Sequence, residues 1–214
     1  TCGGLEIRLN GAPLTGLASR KAEALLIYIA CELRPHRRDV LADMLWDEAT
    51  IDRARGNLSV LLTSLRQQLG AYLAINRQTV SFVATQPYTL DYQLIHAAID
   101  AAEGRTLSPV AATELATALE LYRGDFLQGF ALRDSSGFEP WAFAAQERLR
   151  RRVVEAYAQL TEAAIVHNDP AAGILHANAL IALEPFHEAT HSRLLMLLAR
   201  SGQRAAALAH YENY

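Results

Sequence analysis

Two stretches of the 214-residue chain repeat each other at an offset of 34 residues. His167-Asn168 falls on Ser201-Gly202, Ala172 on Ala206, Ile174 on Leu208, His176 on His210, and Leu160 on Leu194. Thirty-four residues is the length of a tetratricopeptide-type helix pair, which cannot bury its apolar face alone and must stack on a neighbour. Ala182-Leu183-Glu184-Pro185 reads as the end of one pair, because proline does not continue a helix. The second pair stops unfinished at Tyr214, so the chain is expected to be a fragment of a longer polypeptide. Most of 91–214 is Ala/Leu-rich with helical period, which predicts an all-α repeat domain there.

The first 90 residues have a different character. Leu5-Glu6-Ile7-Arg8-Leu9 alternates, and Asn10-Gly11 supplies a turn, so a short hairpin opens the chain. A helix is expected over about 20–33 with Ser19 as its cap, and Pro35 ends that stretch. A second is expected over about 37–46, with Arg34, His36, Arg37 and Arg38 at its start. A third begins at a cap on Asp52 and sets Leu58, Leu61, Leu62, Leu65 and Leu69 on one face, with Gly70 closing it as a C′ glycine. Strands over 72–76 and 79–84 then form a hairpin around Arg77-Gln78. The fold class is therefore α+β: a winged helix-turn-helix over 1–90, followed by an all-α TPR-like domain over 91–214.

Charge alone does not identify a partner. The net charge is −3. Residues 1–95 hold ten Lys+Arg against nine Asp+Glu, and residues 96–214 hold ten against fourteen. The two cysteines, Cys2 and Cys31, form neither a disulfide framework nor a metal-spaced set, which fits a reducing compartment. No apolar run approaches the roughly 18 residues of a membrane span, and no export signal opens the chain, so a cytoplasmic location with no membrane partner is expected.

Several motifs carry a family resemblance over essentially the whole chain. The first half has Arg53-Ala54-Arg55-Gly56-Asn57-Leu58, Leu65-Arg66-Gln67-Gln68-Leu69-Gly70 and Leu90-Asp91. The second has Leu121-Tyr122-Arg123-Gly124-Asp125-Phe126-Leu127, Trp141, Arg148-Leu149-Arg150, Ala182-Leu183-Glu184-Pro185, Leu194-Leu195-Met196, Ala207-Leu208 and Tyr211. Together these resemble the Streptomyces antibiotic regulatory proteins (SARPs), which join an OmpR-type winged helix to a bacterial transcriptional activator domain. The resemblance implies binding to double-stranded promoter DNA and recruitment of RNA polymerase. It also implies a further sensor or NTPase module after this region. The family's recognition helix usually carries more arginine; here Ser59, Gln67 and Gln68 stand instead.

On the third helix the side opposite the leucines offers Arg53, Gly56, Val60, Thr63, Ser64 and Gln67, with Asn57 and Ser59 at its flanks. Gln and Asn can read adenine, Arg guanine, and Thr and Val the thymine methyl, so Arg53, Asn57, Val60, Thr63, Ser64 and Gln67 are the base-contact candidates. Phosphate-contact candidates are Arg34, Arg37, Arg38, Arg55, Gly56, Arg66, Arg77 and Gln78. Glycine costs about 1 kcal/mol in a helix interior, and a close approach to a phosphate backbone would account for Gly56. Trp46, Trp141, Tyr122 and Phe126 read as packing residues, and the basic run 148–152 as a solvated helix surface.

Two rival readings are a protein-interaction scaffold and a zinc metallopeptidase. The second rests on His187-Glu188-Ala189-Thr190-His191, an H-E-x-x-H match with Glu212 downstream as a third ligand. The motif sits where a repeat helix begins, without a cleft-forming domain around it. No P-loop, no nucleophile elbow and no nucleophile with an evident base occur, so no enzyme activity, cofactor or metal is expected. The repeat domain is expected to make protein contacts, among them homodimerisation.

Overall fold

A computed structural model describes residues 1–17, 19–132 and 135–213; Tyr214, the expected break in the second repeat, lies outside them. The chain forms two compact units, and neither is continuous in sequence. One comprises Thr1–Gln93 and Gly124–Gln146, the other Leu94–Arg123 and the residues from Glu147 onward.

The first unit opens with β1 (Arg8–Leu9) and β2 (Ala12–Pro13), paired antiparallel across Asn10-Gly11. Then follow α1 (Arg20–Glu32), β3 (His36–Arg37), α2 (Arg38–Leu45) and α3 (Ile51–Leu69). A 3₁₀ turn over Gly70–Tyr72 leads to β4 (Leu73–Ile75) and β5 (Thr79–Phe82). The sheet order is β3-β5-β4, all antiparallel, with His36 opposite Val80 and Ile75 opposite Val80 from the other side.

The five leucines of α3 are all buried, together with Leu25 and Ile29 of α1 and Leu41 and Leu45 of α2. Each fully buried leucine is worth about 1.5–3 kcal/mol, so this face fixes α3 and leaves its other side to solvent. Residues 124–146 pack into the same unit because they bring aromatic rings to it. Trp141 lies 4.9 Å from Tyr28, 6.0 Å from Phe126 and 5.4 Å from Phe138, and its indole N–H donates to Glu32 Oε1 at 2.9 Å. Gly124 has φ 157°, and a Cβ there would strike the Gln128 side chain and the Gly3 backbone. This is why a glycine stands in the Tyr122–Leu127 run.

Local expectations are corrected at four points. Arg37 and His36 belong to a strand rather than to the second helix, because β5 takes up their backbone. The N-cap position of α3 is Thr50, and Asp52 lies in the first turn. Gly70 has φ −55°, so it continues into the 3₁₀ turn instead of closing the helix left-handed. Ser19 occupies the N-cap position of α1 but its side chain makes no capping bond.

The second unit contains most of α4 (Asp91–Ala102), α5 (Pro109–Leu119), the larger part of α6 (Phe138–Val166), α7 (Pro170–Leu183), α8 (Glu188–Arg200) and α9 (Arg204–Asn213). The 34-residue offset holds in three dimensions. α6 and α8 end 34 apart, and α7 and α9 begin 34 apart. Buried Ala156, Leu160, Ala163 and Ala164 correspond to buried Thr190, Leu194, Leu197 and Leu198. The turns match as well: Asn168 and Gly202 both have left-handed backbones, φ 57° and 78°. Gly173 of α7 is a point of close approach, since a Cβ would lie 2.9 Å from the Leu197 methyls. Among the described residues no helix is long and apolar enough to cross a membrane.

Candidate nucleic-acid interface

The exposed side of α3 is built by default from what its leucines leave over. At 100° per residue, Arg53, Gly56, Val60, Thr63 and Gln67 fall on one stripe opposite the core. All five are exposed, Val60 at 73%. Asn57 and Ser64, also base-contact candidates, are half-buried on one flank. Gly56 has open space around it: a Cβ would meet nothing within 4 Å. The protein's own packing therefore gives no reason for a glycine there.

The other flank of α3 is tied to α2 and to the β4–β5 turn. Arg55 Nε lies 2.9 Å from Asp39 Oδ1, and Arg37 Nη2 lies 3.6 Å from Asp39 Oδ2. One exposed carboxylate thus gathers two of the phosphate candidates, a pairing worth little by itself at a solvated surface. Arg38 reaches the β4–β5 turn and α3 together, donating to Asn76 O at 3.3 Å and to Ser59 Oγ at 2.9 Å. The turn is closed by Asn76 Oδ1, which accepts from the N–H groups of Gln78 and Thr79 at 2.8 and 2.7 Å. Arg77 and Gln78 project from it, both exposed.

The structure therefore brings Arg37, Arg38 and Arg55 together. Arg34 is held apart with Glu32 at 3.1 Å. Arg66 is exposed on the same flank as Arg55, further along α3. Gln68 is drawn off the face by its bond to Gly16 O at 3.0 Å. Asp39, Ser59 and Asn76 organise the site; the sequence places Ser59 only at the flank of the face, and Asp39 and Asn76 are not among the sequence candidates. Asn76 alone left a trace in the sequence, as the Asn that opens a turn three residues before a Thr.

His36 lies beneath this region, 4% exposed, its ring 4.7 Å from that of Tyr28. Burial, helped by the neighbouring Arg34 guanidinium, holds its pKa below the ordinary histidine value against the opposing pull of Glu32.

The H-E-x-x-H residues are engaged locally. His187 stands at the N-cap of α8, outside its helical residues, with Nδ1 2.6 Å from Thr190 Oγ1. His191 is buried; its Nε2 lies 2.8 Å from Pro185 O and its Nδ1 2.9 Å from His210 Nε2. Both ring nitrogens of His191 are thus taken by the protein. Among the described residues no three His, Cys, Asp or Glu side chains cluster as metal ligands do.

Comparison with known proteins places the chain. No curated protein matches it. Among solved structures it is similar to Mycobacterium tuberculosis EmbR, determined in complex with a low-affinity phosphopeptide, at TM-score 0.65 and 25% identity. The match covers 99% of this chain and 56% of that one, so the chain spans little more than half of EmbR's length. The family described as bacterial transcriptional activator domain matches residues 90–214. The chain therefore belongs to the bacterial transcriptional activator domain family, among the SARP-like transcriptional activators that its motifs resemble.

Proposed function

We propose that this chain is the promoter-binding and protein-contacting part of a transcriptional activator, with α3 lying in the major groove of double-stranded DNA. In this reading residues 1–90 are a winged helix-turn-helix and 91–214 a TPR-like activator domain. Arg53, Asn57, Val60, Thr63, Ser64 and Gln67 meet base edges. Arg34, Arg37, Arg38, Arg55, Arg66, Arg77 and Gln78 meet phosphates or hold the groups that do, and the Gly56 backbone approaches the sugar-phosphate chain. The helical repeats contact RNA polymerase or a second copy of the chain and relay signals from a further sensor or NTPase domain. The protein acts in the cytoplasm and catalyses no reaction.

One observation carries the reading: a leucine-backed helix presents an exposed Arg53–Gly56–Val60–Thr63–Gln67 stripe containing a glycine that the fold does not need. The β4–β5 turn, carrying Arg77, is fastened beside that helix, which is where a wing belongs.

The test is a binding titration with a duplex selected by the chain from a random pool, run at several salt concentrations. Phosphate contacts predict an affinity that falls linearly with the logarithm of salt, by about 0.9 per contact. Arg37→Ala should weaken every sequence alike and flatten that slope. Gln67→Ala should change which sequences are preferred. A chain that selects no duplex, or binds one independently of salt, is not a DNA-binding regulator.

A further inference from the structure

One side chain joins the wing turn to the exposed helix. Arg38 is the first residue of α2, and its backbone N–H donates to Gln78 O at 2.9 Å. Its guanidinium then spans outward, Nη1 to Asn76 O at 3.3 Å and Nη2 to Ser59 Oγ at 2.9 Å. The Ser59 hydroxyl donates to Arg55 O at 2.8 Å, which leaves its lone pairs free to accept from Arg38. The acceptors on α3 and on the turn are 17 residues apart in sequence, and only a forked donor on a third element reaches both. The turn needs such a tether. The Arg37–Thr79 pairing and the Arg38 N–H bond to Gln78 O hold the base of the turn to β3 and the start of α2 whatever the Arg38 side chain is, but they do not reach α3, and the Asn76 side chain closes the loop on itself.

We propose that Arg38 is a positioning residue that sets the wing turn, with Arg77 and Gln78, against the exposed stripe of α3, so that base reading and wing–phosphate contact form one coupled event. This rests on the DNA-binding reading above. It differs from a direct phosphate contact in what it predicts for combined substitutions. If Arg38 only touched a phosphate, its loss and the loss of Arg77 would add. As a tether, its loss already disengages Arg77.

The experiment uses the full 214-residue chain as wild type, Arg38→Ala, Arg77→Ala and the double variant, titrated against the selected duplex across a salt series. Arg77→Ala should lower the salt slope by about one contact. Arg38→Ala should lower it by about the same amount, and the double variant should differ from Arg38→Ala by less than about twofold in affinity. Losses that add across the cycle overturn the proposal and return Arg38 to the phosphate contacts.

A second measurement needs no DNA. In the free protein, hydrogen exchange at the Gln78 and Thr79 amides should speed up at least about tenfold in both Arg38→Ala and Arg38→Lys. A lysine offers one point donor where two directions are required. The amides of Leu61 and Leu62 should stay unchanged, which shows that α3 is still folded. Unchanged exchange at Gln78 and Thr79 overturns the proposal. If the wild type selects no duplex, the DNA-binding reading falls and the exchange result alone decides whether Arg38 holds the turn. If Arg38→Ala unfolds, Ser59→Ala, which removes only the acceptor on α3, should give the same non-additivity with Arg77→Ala at smaller size.

Discussion

Replacing Gly56 with alanine should stabilise the protein and weaken its hold on DNA together. Gly56 lies in the second turn of α3, a regular helix, and a Cβ built on it meets nothing within 4 Å. The substitution therefore brings no clash and no backbone strain. What remains is intrinsic helix propensity, which favours alanine by about 0.8–1.0 kcal/mol. A gain of about 1 kcal/mol raises Tm by roughly 2–4 °C in a chain of this length. On DNA the same methyl stands between Arg53 and Val60, where the backbone is proposed to approach a phosphate. The Gly56 N–H is spent inside the helix, so what the methyl removes is a close neutral contact worth about 0.5–1.5 kcal/mol, a roughly two- to tenfold rise in Kd. Thermal unfolding gives the first quantity and fluorescence anisotropy with the selected duplex the second. A Tm that falls would mean that the fold itself uses the glycine. A Tm that rises with unchanged Kd would mean that no phosphate comes near Gly56, and the placement of α3 in the groove would be wrong at that point.

Further outcomes follow from other parts of the molecule. Gly173→Val should lower stability by about 1–3 kcal/mol in a denaturant titration, because its Cβ would lie 2.9 Å from Leu197 methyls and 3.3 Å from the Ala164 Cβ in a packed interface; an unchanged midpoint would refute the close approach. His36 is held below its ordinary pKa of 6.5, so it contributes stability that is complete above that pH and is lost as pH falls through the lowered folded value. Tm should therefore drop on acidification below about 6.5, and His36→Phe should drop less; equal slopes would remove His36 as a cause. Burial first, then the carboxylates of Asp91 and Glu32, push the Cys31 thiol far above its usual pKa. Iodoacetamide at pH 8 should thus label Cys31 only after unfolding, and rapid labelling of the folded chain would contradict that environment.

The parts of the fold written in periodicity were legible in the sequence. The spacing of Leu58, Leu61, Leu62, Leu65 and Leu69 gives both the helix and, by subtraction, its exposed stripe. The 34-residue offset gives the matched ends of α6 and α8 and of α7 and α9. What was not legible depends on partners distant along the chain. His36 and Arg37 carry no strand signal of their own; β5 makes them a strand by accepting and donating to their backbone. The caps at Thr50 and Asp52 are chemically equivalent in sequence, and only the backbone turn chooses between them. Residues 124–146 join the first unit because Phe126 meets Tyr92 and Trp141 meets Tyr28 there. The same holds for the candidate site. Residue type and helical phase select Arg53, Val60, Thr63 and Gln67, whereas the Asp39 and Arg38 connections exist only once α2, α3 and the hairpin have come together.

The register shared by the two helix pairs has an evolutionary corollary. Each left-handed exit, at Asn168 and at Gly202, hands the chain on in an equivalent orientation, and the interior positions Ala156, Leu160, Ala163 and Ala164 have buried counterparts one unit away. Excising residues 154–187 would splice α6 onto α8 at homologous points and keep Leu194, Leu197 and Leu198 facing inward. Removing a few residues more or fewer would rotate α8 about its axis and turn Leu194 outward. Natural length variation in this region should therefore come in whole modules.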